Sequence, residues 1–182
     1  MDEESRKYTR VEFERRFLVS PDSDWQGHIQ PYSKLLQDRY ISGTRLRLRE
    51  MIDLDSGRKL IKPTKKEASE TPYFRRISRI LLASDEFKVF AELDAFEIKK
   101  TRYYCTSFGS VFSIDVFTGE LEGLILAEAE AESLDELMLI EPPPFVRCEV
   151  TENAFFDGGN LCRVSCEELS LTLQKVLTPQ DL

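Results

Sequence analysis

The sequence has few cysteines, one histidine, one tryptophan and no long apolar run. Each shortage removes a class of function. No stretch approaches the ~20 apolar residues of a membrane-spanning helix. The first ten residues, MDEESRKYTR, are charged, unlike a signal peptide. The expectation is a soluble, cytoplasmic protein with no membrane partner. The cysteines Cys105, Cys148, Cys162 and Cys166 contain only one close pair, which argues against a structural zinc site and for reduced, partly buried thiols. His28 lies in the polar stretch SDWQGHIQ without a partner motif and reads as a surface residue. An excess of basic charge is also missing. Against 33 Asp and Glu stand 25 Lys and Arg, a net charge of −8, which argues against nucleic acid as a partner.

What is present is strand pattern loaded with charge. The 182 residues, 41% hydrophobic and 32% charged, suffice for one compact domain with a real core. In Val11–Val19, VEFERRFLV, the apolar residues alternate with Glu12, Glu14 and Arg16, which share one face. Alternation continues through Asp38–Ile41, Thr44–Met51, Arg58–Pro63, Tyr73–Leu82, Ile98–Thr106, Val111–Phe117, Leu124–Glu132 and Phe145–Thr151. Turns are expected at residues 53–57 and 107–110, and a polar loop at 64–72. Ser84 is the expected cap of a short helix, Asp85–Leu93; a helical turn is expected at Leu134–Leu139 and an amphipathic helix at residues 167–177. Eight or so strands with short turns predict an antiparallel barrel or sandwich with short helices outside, an α+β chain.

The charged positions share faces on strand after strand: Arg45, Arg47 and Arg49; Lys100, Arg102 and Tyr104; Glu128, Glu130 and Glu132; Arg147, Glu149 and Thr151; with Asp115 opposed to Ile114 and Val116. On one strand this is a solvated face. On so many it predicts a barrel with a charged interior, whose cost a ligand and a metal would offset. Guanidinium and ammonium groups on several strands suit phosphate oxygens. Two Glu-x-Glu pairs suit Mg²⁺ or Mn²⁺. A polyanion with a divalent cation is a polyphosphate chain.

These motifs, in this order, resemble the CYTH superfamily, the triphosphate tunnel metalloenzymes, which include bacterial inorganic triphosphatases, thiamine triphosphatases, class IV adenylyl cyclases and fungal RNA triphosphatases. The resemblance runs from about Val11 to Leu161 within a single domain, 1–182. It rests on Glu12-Phe13-Glu14-Arg15-Arg16, with Arg for the family's final Lys; on Tyr40, Arg47 and Arg49; on Leu60-Ile61-Lys62; and on Lys100-Thr101-Arg102-Tyr103. Asp115-Val116-Phe117, Gly123-Leu124, Ala127-Glu128-Ala129-Glu130 and Glu149-Val150-Thr151 complete it. The family's Arg-x-Glu-x-Glu is replaced by Arg75-Arg76-Ile77-Ser78-Arg79-Ile80, without acids.

The resemblance implies a closed eight-stranded antiparallel tunnel that hydrolyses the terminal phosphate of a triphosphate, tripolyphosphate first, with nucleoside or thiamine triphosphate as other substrates. It implies Glu12, Glu14, Glu128, Glu130 and Asp115 as ligands of Mg²⁺ or Mn²⁺. Arg47, Arg49, Lys62, Lys100, Arg102 and Arg147 are implied as the substrate-binding cations. Arg16, Tyr40, Glu132 and Glu149 are implied in catalysis. It also admits a homodimer, a class IV-type cyclase making cyclic AMP from ATP, and a non-catalytic polyphosphate or nucleotide binder.

Overall fold

The computed structural model describes residues 9–67, 71–79 and 82–177; Ile80 and Leu81 of the expected fifth strand, and part of the expected loop at 64–72, lie outside them. Alternating residues form β1 (Thr9–Val19), β2 (Lys34–Ile41), β3 (Leu46–Asp53), β4 (Lys59–Lys66), β5 (Phe74–Arg79), β6 (Ala95–Ser107), β7 (Ser110–Thr118), β8 (Ile125–Ala131) and β9 (Val146–Glu149). The helices are α1 (Ser84–Ala91), α2 (Leu134–Met138), α3 (Gly158–Leu161) and α4 (Cys166–Leu177). Among the described residues no helix is long and apolar enough to cross a membrane.

The sheet runs β5-β4-β3-β2-β6-β7-β8-β1-β9, and β1 also pairs with β5. The first eight strands therefore close into an antiparallel barrel, and β9 is an extra strand. β1 makes the closure. One edge, Phe13–Leu18, pairs with β8; the other is divided, with Thr9–Phe13 on β5 and Phe17–Val19 on β9. Between those halves the Arg16 N–H donates to Thr151 Oγ1 at 2.9 Å, and the Arg16 carbonyl accepts from the Val150 N–H at 2.8 Å. The seam is thus bridged rather than left with open backbone groups.

The two strand faces have different fates. Phe17, Val19, Phe112, Ile114, Ala127 and Ala129 pack outside the barrel with Trp25 and Phe145. On the inner face Leu18, Ile98, Phe117 and Leu126 meet Phe156, Leu161 of α3 and Leu169 of α4. By the two-residue period these four share a face with Glu12, Glu14, Arg16, Lys100, Asp115 and Glu128. The lining is therefore apolar at one end, which the C-terminal segment closes, and charged beyond it.

Some boundaries differ from expectation. β4 continues past Pro63, which removes only one ladder donor, so Thr64 belongs to the barrel wall. β9 is four residues long because the chain turns at Val150, whose carbonyl accepts from Asn153. α1 begins at Ser84 itself, so its cap is Ala83, whose N–H donates to Glu86 Oε2 at 2.7 Å.

Candidate functional site

The charged part of the barrel encloses a cavity of about 430 Å³. Of the expected residues, Glu12, Glu14, Arg16, Tyr40, Arg47, Arg49, Lys62, Lys100, Arg102, Glu128 and Glu130 line it. The strand order sorts them by sign. Glu12, Glu14, Glu128 and Glu130 come from the adjacent strands β1 and β8; Arg47, Arg49, Lys62, Lys100 and Arg102 come from β3, β4 and β6. One wall is acidic and the other basic.

On the basic wall Arg49 stands directly opposite Lys62 in the β3–β4 ladder. Like charges so placed repel, with Cβ atoms ~4.5–5.5 Å apart, unless an anion lies between them. Two buried aspartates hold the cations in place. Asp38, 2% exposed, accepts from Nε and Nη2 of Arg49, both at 2.6 Å. Burial would raise its pKa, but Arg49 and Arg47 override that and hold it far below the carboxylate range. Asp115, fully buried, accepts from Nε and Nη2 of Arg102 at 2.6 Å and pairs with Lys100. Burial likewise opposes its ionisation, and Arg102 and Lys100 outweigh it, so its pKa is lowered. Burial pulls the Lys100 ammonium below its usual value, partly offset by Asp115. Arg47 lies 3.9 Å from Asp38, and its buried Nε has no hydrogen-bond acceptor among the described residues. That orphaned donor suits an anion. Burial, followed by Asp38, pushes the neighbouring Tyr40 hydroxyl up to about 12.

The acidic wall has the mirror-image problem. Glu14 stands opposite Glu130 in the β1–β8 ladder, and Arg16 opposite Glu128. Arg16 pairs with Glu14, and with Glu128 at 3.3 Å and Asp157 at 3.1 Å. Glu130 makes no ion pair among the described residues. Although solvent reaches it, its pKa is raised, first by partial desolvation and then by Glu12, Glu14 and Glu128. Hard carboxylate oxygens at a crowded negative site fit a divalent cation. Among the described residues, however, no three acidic, cysteine or histidine side chains are already gathered as a metal site.

The expectation that the charge waits on a ligand needs correction, because much of it is paired internally. Four expected residues also lie apart from the cavity. Both oxygens of Asp115 accept from Lys100 and Arg102 in this arrangement. Arg147 and Glu149 are exposed on β9, where Glu149 accepts from Arg15 Nε at 3.0 Å and Nη2 at 2.7 Å on the outer side of β1. Glu132, past the end of β8, lies in a shallow depression beside Glu12 and Glu130.

Sequence reasoning missed Asp38, Thr64 and Tyr104 as site residues; strand parity put Tyr104 on the face of Lys100 and Arg102, whereas Thr64 fell in the expected loop and Asp38 is a lone acid. It also missed Asp157, which joins Arg16 to Arg75 Nη2 at 3.2 Å, and Gly158, where a Cβ would run into the Tyr40 hydroxyl. Asp157 caps α3 and Gly158 opens it, where strand parity says nothing.

No family model matches the chain. An inorganic triphosphatase of Nitrosomonas europaea is 29% identical over 155 residues, covering 79% of this chain and 91% of that protein. The crystal structure of the inorganic triphosphatase NE1496 superposes with a TM-score of 0.56 at 25% identity, covering 84% of this chain and 95% of that one. A putative adenylate cyclase of Bacillus halodurans has a TM-score of 0.51 at 12% identity, over 96% of each chain, a likeness of fold alone. Short motifs in a fixed order that close into this barrel, with a relative aligned along most of its length, make the chain similar in both sequence and fold to inorganic triphosphatases.

Proposed function

We propose that the tunnel hydrolyses the terminal phosphate of a small triphosphate, with inorganic tripolyphosphate as the first substrate. The observation that carries this reading is the divided lining: Arg49 against Lys62 across one ladder, Glu14 against Glu130 across another. Phosphate oxygens relieve the first repulsion and a divalent cation the second. The name of the Nitrosomonas relative, inorganic triphosphatase, points the same way.

Arg47, Arg49, Lys62, Lys100 and Arg102 bind phosphate oxygens and stabilise the charge spread over them in a loose transition state. A water oxygen bonds to the terminal phosphorus as the bridging P–O bond breaks, giving orthophosphate and pyrophosphate. Asp38 and Asp115 keep the cations oriented. Tyr40 stays protonated beside Arg47 and borders the closed end. Glu12, Glu14 and Glu130 are the residues that would hold Mg²⁺ or Mn²⁺, with Glu128 turned toward Arg16 and Arg102. The bound ion supplies Lewis-acid neutralisation of phosphate charge. Free thiols at all four cysteines support a reducing, cytoplasmic setting.

The test is phosphate release from tripolyphosphate, ATP and thiamine triphosphate with Mg²⁺, Mn²⁺ or EDTA. Release from tripolyphosphate that EDTA abolishes is expected. Cyclic AMP from ATP without phosphate release would replace this reading by a cyclase. Tight tripolyphosphate binding without turnover would replace it by a binding protein.

A further inference from the structure

We infer that Arg16 is a built-in counter-ion of the acidic wall and limits the tunnel to a single divalent cation. The inference rests on the metal-dependent reading above and adds a stoichiometry to it. Arg16, 6% exposed, spreads its guanidinium over Glu14, over Glu128 at 3.3 Å and over Asp157 at 3.1 Å. Its Nη1 also donates to the Phe156 carbonyl at 3.0 Å, in the segment that closes the barrel end. Burial opposes this charge, but Glu14 and Glu128 more than compensate, and a guanidinium does not release its proton.

Half of the acidic wall thus already carries a fixed cation. A second divalent ion between Glu14 and Glu128 would meet a positive charge that four polar contacts hold in place, at short range and away from bulk water. The other half differs. Glu130 faces Glu14 across the ladder, makes no ion pair among the described residues, and lies in the cavity with Glu12. β5, the other neighbour of β1, adds no carboxylate; it offers Ile77 to the cavity and carries Arg75 on the same face. One cation position is left, at Glu12, Glu14 and Glu130. A lysine there would keep the charge that excludes a second ion, but arginine's planar fork also reaches three carboxylates and a carbonyl at once.

The experiment is a Mn²⁺ titration of the full-length, substrate-free protein, with free Mn²⁺ followed by electron paramagnetic resonance. One ion is expected for the wild type and for Arg16→Lys, and two for Arg16→Gln, with folding checked by circular dichroism. Glu128→Gln gives a second arm that leaves Arg16 intact. It should weaken Mn²⁺ binding by less than about tenfold, and Glu130→Gln by more than about tenfold. Two ions in the wild type, one ion in folded Arg16→Gln, or equal losses in the two glutamine variants would overturn the inference. Absence of Mn²⁺ binding in the wild type would overturn it together with the metal part of the proposed function. Metal-dependent phosphate release accompanied by a two-ion count would sink this inference alone.

Discussion

Asp38 accepts both hydrogen bonds on one edge of the Arg49 guanidinium, each at 2.6 Å, with almost no solvent contact. Neither residue reaches the other by chance of rotamer: they are direct partners in the β2–β3 ladder, on the inner face. Asp38→Asn leaves Arg49 buried without its counter-charge. It should cost about 3–5 kcal/mol of stability, measured by urea unfolding. A loss below about 1 kcal/mol would place this pair with exposed ion pairs instead.

The same pair sets a pH dependence. The folded-state pKa values of Asp38 and Asp115 lie below their unfolded values. Their stabilisation is therefore complete above the unfolded carboxylate pKa of about 3.9 and is lost as pH falls through the lowered folded values. The urea midpoint should drop steeply from about pH 4 downward, and less steeply in Asp38→Asn. A wild-type midpoint that stays flat to pH 3 would contradict the assignment.

Two glutamates near β1 should behave oppositely in the phosphate-release assay. Glu130→Gln removes a carboxylate from the acidic wall and should lower metal-dependent turnover by about 100-fold or more with the fold intact. Glu149→Gln alters the outer tie to Arg15 and the hydrogen bond accepted from Thr151 Oγ1 at 2.6 Å, both outside the cavity, so turnover should stay within about twofold and stability within about 1 kcal/mol. Equal losses in both would return Glu149 to the site.

The close approach of Gly158 to Tyr40 can be tested by rescue. Gly158→Ala drives a methyl group into the Tyr40 hydroxyl and should cost about 1–3 kcal/mol by overpacking. Adding Tyr40→Phe removes the atom struck and should restore at least half of that loss in thermal unfolding. No restoration would mean that the backbone at residue 158, rather than the hydroxyl, sets the limit.

Most of the lining was legible because a strand has a period of two, so Glu12, Glu14, Arg16, Arg47, Arg49, Lys100, Arg102, Glu128 and Glu130 could be sorted onto faces before any pairing was known. Parity does not say which face is inside. β9 lies outside the closed circuit, so Glu149 on its charged face meets Arg15 rather than the cavity. The role of Asp115 turns on register: its position opposite Arg102 makes it a counter-ion. Asp38 was overlooked because a lone acid in KLLQDRYI repeats nothing. Asp157 and Gly158 depend on how the C-terminal segment folds back over the barrel end, which no local pattern records.

β1 is made first, yet its partners β5, β8 and β9 all come later in the chain. At ~5–20 residues per second, the interval between Val19 and Ala131 is roughly 5–20 s of synthesis, during which this strand has edges to offer any passing chain. Glu12, Glu14, Arg15 and Arg16 break up its apolar side chains, as gatekeeper charges do in segments that would otherwise aggregate. The residues that equip the finished tunnel for phosphate chemistry thus have an earlier duty, keeping an orphan strand soluble until the ribosome delivers its neighbours.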